Sequence, residues 1–126
     1  MKTQQHNVRR WLGRATEARF VADAQARGLL VSRPFTEAPG YDAVVDNGRR
    51  LIRVQIKGCT PNPKGVCRIN INRHYRRRAP HFDVLAVWMT SVGRWFFLPK
   101  KVRYVEKLNL RANGCYAQRG WESLTR

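Results

Sequence analysis

The sequence predicts an α/β (α+β) fold, a mixed central β-sheet flanked by helices. Three observations carry this expectation: one amphipathic helix near the amino end, an Asn47-Gly48 hairpin signal between two alternating segments, and a later apolar run too short for a helix. Val8 to Arg27 reads as the helix, with Trp11, Ala15, Ala18, Val21, Ala22 and Gln25 at three- and four-residue spacings and Gly28 as the stop. Leu29 to Phe35 is a short strand ended by Thr36-Glu37-Ala38-Pro39-Gly40, and Tyr41 to Asp46 is a second. Asn47 and Gly48 tolerate positive φ, which suits a turn into the returning strand Arg50 to Lys57. Gly58 to Gly65 is a loop containing Pro61 and Pro63, and Val66 to Ile71 is another strand. Asn72 to His81 fits a loop or a short helix. Phe82 to Met89 is a buried strand, followed by the Ser91-Val92-Gly93 turn, the strand Arg94 to Leu98 and a stop at Pro99. Lys100 to Leu108 is expected to be a helix, and the tail from Asn109 has no clear pattern.

At 126 residues the chain fits one domain, residues 1–126, with a core over about 8–108. Its 43% hydrophobic content supports a packed core. Twenty-five Lys and Arg face eight acids, a net charge of +17. Such an excess repels itself and is relieved by a polyanion, so nucleic acid is the expected partner. No apolar run approaches the roughly 20 residues of a membrane span. The start MKTQQHNVRR lacks the apolar stretch of a secretory signal. Cys59, Cys67 and Cys115 are odd in number and show no CxxC pairing. They are therefore expected to be unpaired small residues in a reducing, intracellular setting, cytoplasmic or nucleoid-associated.

The chemistry concentrates on the hairpin. Alternate side chains of a strand share a face. Asp42, Val44 and Asp46 therefore point one way, as do Leu51, Arg53, Gln55 and Lys57 on the return, while Ile52, Val54 and Ile56 form an apolar opposite face. Pairing through Asn47-Gly48 brings Asp42 toward the end carrying Gln55 and Lys57. A carboxylate, an amide oxygen and an ammonium then converge, which suits a hard cation and an activated water. The same alternation is also what any strand with one solvated face displays.

Gly40-Tyr41-Asp42, followed after a hairpin by Val54-Gln55-Ile56-Lys57, resembles the PD-(D/E)XK nuclease superfamily. Tyr41 stands where that signature has proline, and Gln55 where it has its second acid. Arg53-Val54-Gln55-Ile56-Lys57 is similar to the Gln-x-Lys variant of its group I intron-associated homing endonucleases. Gly13-x-x-x-Glu17, Ser32-Arg33-Pro34-Phe35 and Trp95-Phe96-Phe97-Leu98-Pro99 extend the likeness over about residues 13–99. The resemblance implies a restriction-endonuclease-like core and magnesium-dependent hydrolysis of DNA, with manganese able to substitute. It implies metal ligation by Asp42, Gln55 and the carbonyl of Ile56, water activation by Lys57, and an acid, Glu17, facing the site from the first helix. Gln for an acid removes a negative charge, which weakens metal binding and eases approach of phosphates.

From Asn47 through His81 there is no acid, and Arg53, Arg73, Arg76, Arg77 and Arg78 are the expected nucleic-acid contacts, with Tyr75 or His74 packing a sugar or base. Lys100, Lys101 and Arg103 are weaker candidates. His6, His74 and His81 show no metal-ligand spacing, and Asp46 is expected to serve the turn. Trp88, Trp95, Phe96 and Phe97 belong to the core or a subunit interface. Cutting a duplex with one small site per chain calls for a homodimer or larger symmetric oligomer. A homing-type enzyme, a Holliday-junction resolvase and a non-catalytic basic binding module all remain compatible with these residues.

Overall fold

The computed structural model describes residues 2–36, 40–71 and 81–126, with side chains from Val8 onward. Helix α1 (Lys2–Gln25) leads into strands β1 (Leu30–Ser32), β2 (Ala43–Asp46) and β3 (Leu51–Cys59). Then follow β4 (Val66–Asn70), β5 (Val84–Met89), β6 (Arg94–Pro99), a 3-10 turn (Lys100–Tyr104), β7 (Lys107–Arg111) and the short α2 (Glu122–Thr125). Five strands form a mixed sheet in the order β1-β2-β3-β5-β6, in which only β3 and β5 run parallel. β4 and β7 pair as a separate antiparallel ribbon.

The alternation predicted for β3 sorts its residues onto two cores. Ile52, Val54 and Ile56 join Ala43, Val45, Ala86 and Phe97 beneath Phe20 and Ala24 of α1. On the opposite face Leu85, Val87, Met89, Phe96 and Leu98 are covered by Cys67, Ile69 and Leu110 of the ribbon. Trp95, Phe96 and Phe97 are core residues. Trp95 also donates its indole N–H to Asp23 at 2.8 Å, and half-buried Trp88 carries Arg19 over its ring.

The connection between β2 and β3 spans four residues, Asn47 to Arg50, with Gly48 at φ +85°. Asp46 accepts the Gly48 N–H, and Asn47 Oδ1 accepts those of Arg49 and Arg50. A two-residue turn would set Asp42 across from Arg53. The longer loop moves the register by two, so that Ala43 pairs with Val54, and the Asp42 N–H bonds the Val54 carbonyl as well.

Four expectations are corrected. The sheet-facing stripe of α1 runs through Thr16, Glu17, Phe20 and Ala24, and Trp11 is 65% exposed. Nine residues at about 100° each put Trp11 on the far side from Phe20. The strands before the hairpin are shorter than their apolar runs, since only Leu30–Ser32 and Ala43–Asp46 find partners. Beyond Tyr104 the chain is a strand, because Leu108 and Leu110 alternate and pair with β4, while Val102 is the buried residue of the preceding turn. Cys59 and Cys67 form a disulfide, so the reading of all three cysteines as unpaired fails. The Pro61–Gly65 turn, closed by Asn62 Oδ1 accepting from Lys64 and Val66, returns β4 to the end of β3 and brings the two cysteines together.

The tail also has a place. Trp121 stacks on Phe20 and meets Phe97 edge-on, and Asn47 donates its side-chain N–H to the Leu124 carbonyl at 2.9 Å.

Asp83 clamps β3 to the start of β5. Its carboxylate accepts the Arg53 backbone N–H at 2.9 Å and two guanidinium N–H groups, and its own N–H donates to the Arg53 carbonyl at 2.8 Å. Partial burial opposes ionisation of Asp83, but the bonds from Arg53 outweigh it and hold the carboxyl below its ordinary range. Stability from this group is therefore present above the unfolded-state value and is lost as pH falls through the native one. Asp83→Ala is expected to cost roughly 1–3 kcal/mol in urea unfolding at neutral pH and progressively less as the pH is lowered below the ordinary carboxylate range. A loss that does not diminish on acidification would show that the ion pair is not the source.

Candidate active site

β3 runs past the end of β2, and the candidate site lies where it loses that neighbour. Asp42 stands one residue before β2. Its N–H donates to the Val54 carbonyl at 2.8 Å, and its carboxylate Oδ2 accepts the Ile56 N–H at 2.8 Å. These two bonds fix the carboxylate beside β3. Gln55 and Lys57 share the face of β3 turned away from α1. The Gln55 amide oxygen is buried and has no hydrogen-bond partner among the described residues. A buried acceptor left unpaired is costly, and its presence here marks a place built for something that binds oxygen.

Glu17 comes from the other side of the sheet. It sits seven residues before Ala24, nearly two helical turns, and so faces the sheet rather than water. It lines two adjoining clefts. One, of about 330 Å³, is shared with Asp42, Tyr41, Arg33, Pro34, Phe35 and Thr36. The other, of about 260 Å³, is shared with Ile56, Lys57, Gly58, Arg68 and Asn70. Glu17 thus joins the Asp42 side of the site to the Lys57 side.

The electrostatics are those of a desolvated cluster. Burial raises Asp42 above the ordinary carboxylate range; the Ile56 N–H opposes that shift, nearby Glu17 adds to it, and Lys57 and Arg33 oppose it. Burial lowers Lys57, with Asp42 pulling the other way. Both shifts penalise the charged forms, and a cation beside Asp42 and Glu17 would relieve the carboxylates. The donors are carboxylate and amide oxygens, which suit a hard divalent ion such as magnesium or manganese. Among the described residues no group of three or more His, Cys, Asp or Glu side chains is placed to hold a metal ion.

Gly58 positions Glu17. A Cβ added there would meet Thr16 Oγ1 at 2.9 Å, and that hydroxyl is committed to the Leu12 carbonyl at 2.8 Å. The absent side chain lets α1 lie close to β3 at the residue following Lys57. Gly58→Ala is expected to shift α1 and reduce cleavage about tenfold or more, since small misplacements cost heavily in catalysis. Adding Thr16→Ala should restore it. Single-turnover rates of the single and double variants check this; a Gly58→Ala protein with parental rates would remove the positioning role.

Arg33, sixteen residues from Glu17, makes an ion pair with it at 2.5 Å. The sequence offered no local sign of this pair, because β1 and α1 meet only in the fold. Arg53, an expected nucleic-acid contact, gives its guanidinium to Asp83. Arg73, Arg76, Arg77, Arg78, His74 and Tyr75 lie outside the described residues, and so does the side chain of His6. Arg68, from the same basic run, lines the Lys57 cleft.

A family model described as PD-(D/E)XK endonuclease matches residues 7–115. A comparison with curated protein sequences finds no match. Among solved structures, the chain is similar to the bacterial homing endonuclease I-Ssp6803I, at TM-score 0.65 and 24% identity over 88% of this chain and 80% of that one. It is also similar to Hjc of Archaeoglobus fulgidus, a Holliday junction resolvase from an archaeal hyperthermophile, at TM-score 0.56 and 16% identity over 83% and 87%. Both share the restriction-endonuclease-like fold of a central mixed sheet. The match covers most of the sequence, including the Asp42 hairpin and the first-helix Glu17, and the chain belongs to the PD-(D/E)XK endonuclease family.

Proposed function

We propose that this protein is a magnesium-dependent DNA endonuclease of the homing-endonuclease-like kind, hydrolysing phosphodiester bonds at the Asp42 site. The observation that carries the reading is that one strand bears the unpartnered Gln55 amide oxygen, the Ile56 N–H that holds the Asp42 carboxylate, and the desolvated Lys57. Asp42, Gln55 and the Ile56 carbonyl would hold the ion, and manganese would substitute. Bound there, it would supply positive charge against the phosphate. Lys57 orients the attacking water and takes its proton or stabilises the charge that develops on the phosphate. Glu17, neutralised by Arg33, closes the site from the α1 side. Arg68 and the basic run through Arg78 bind flanking phosphates, a salt-sensitive contribution. One chain presents one such site, so cutting both strands requires a homodimer or larger symmetric assembly.

The test is cleavage of linear, supercoiled and four-way-junction DNA with magnesium and with chelator. Cleavage that needs the metal, with linear or supercoiled duplex preferred, supports the reading. A strong preference for the junction replaces it with a resolvase. Binding without cleavage of any substrate leaves only a basic binding module.

A further inference from the structure

Phe35 is fully exposed and belongs to neither core cluster. It stands on the rim of the 330 Å³ cleft that holds Asp42, Glu17 and Arg33. Pro34 fixes its own φ and keeps Arg33 extended, so the two residues flanking it are presented on a stiff segment. A whole aromatic ring left in water does nothing for the fold. Beside a cleft floored by a candidate metal ligand, in a chain of charge +17, the partner it meets is DNA. The flat apolar surface that DNA offers is the face of a base. In an intact duplex those faces are covered by their neighbours.

We infer that Phe35 is a stacking residue that receives an unstacked base next to the scissile phosphate. The preferred substrate is therefore DNA in which such a base is available, at a bulge, a nick or an easily unstacked step. This rests on the proposed nuclease reading and adds the substrate feature that the site selects. Apolar side chains that enter a base step, and aromatics on which single bases stack, act in this way. Arg33, two residues away and half exposed, holds the adjoining phosphate while remaining in reach of Glu17.

The experiment compares affinity for a short duplex carrying one bulged 2-aminopurine with affinity for the same duplex fully paired, in calcium. The parent protein is expected to prefer the bulged duplex. Phe35→Ala should lower affinity for the bulged duplex roughly tenfold, the lower part of what a stacked base contributes, and leave the paired duplex unchanged. Phe35→Tyr should retain the preference. Thermal unfolding of both variants should match the parent, because the ring is fully exposed. A parent without preference, or a Phe35→Ala protein that keeps it, overturns the inference. Binding in calcium does not depend on cleavage, so the two readings separate. A preference lost in Phe35→Ala by a protein that cleaves nothing sinks the nuclease reading and keeps this one. Asp42-dependent cleavage of a bulged substrate that is unaffected by Phe35→Ala does the reverse.

Discussion

Asp42→Asn is expected to abolish metal-dependent cleavage while DNA binding persists or tightens. The loss should exceed the roughly 10–100-fold that disturbing an outer-shell partner of a metal site costs, because the ligand itself is removed. Unfolding does not explain it. Burial raises Asp42, so the native state favours its protonated form; the stability it contributes is present below the unfolded-state value and lost as pH rises through the native one. At neutral pH the ionised carboxylate is a burden on the fold. An amide keeps an oxygen for the Ile56 N–H and removes that burden, so the thermal midpoint should hold or rise. By the same sign, metal affinity of the parent should weaken as pH drops into the raised range of Asp42. Gln55 supplies the companion test. Gln55→Ala should lose most activity, and Gln55→Glu should retain activity at lower magnesium concentration, since a carboxylate binds the ion more strongly. Single-turnover cleavage across a magnesium titration measures both. If every Gln55 variant behaves like the parent, its orphaned oxygen is no ligand.

Lys57→Ala is expected to slow cleavage by roughly 10²–10⁴-fold at saturating metal, the range for a positioned proton-transfer group. DNA affinity should fall only slightly, because one cation among twenty-five is lost. Lys57→Arg separates two roles. A guanidinium preserves the charge but cannot give up its proton at any working pH. If Lys57 takes a proton from water, the arginine variant should be as slow as alanine, and burial of Lys57 favours the neutral amine that this role needs. Arginine restoring the rate would show that the charge alone is used.

The sequence by itself determined the two faces of β3. Strand period two puts Gln55 and Lys57 on one and Ile52, Val54 and Ile56 on the other. Near neighbours in the chain set this relation, so it is legible without a fold. The buried strands Val84–Met89 and Arg94–Pro99 were legible for the same reason, since continuous apolar runs bounded by turn residues have few other uses. The tertiary structure alone decided which side of α1 meets the sheet. That helix is rich in alanine and arginine and carries Phe20 on one side and Trp11 on the other, so its own periodicity favours neither. Contact with Ile52, Val54 and Ile56 selects Phe20 and Ala24, and Glu17 is turned toward Asp42 with them. The Arg33–Glu17 pair, the Cys59–Cys67 bond and the pairing of β7 with β4 likewise depend on segments that meet only after the chain has collapsed. A local pattern records the period of an element; the partner that buries it lies elsewhere in the chain, and burial is what orients the side chains that form the site.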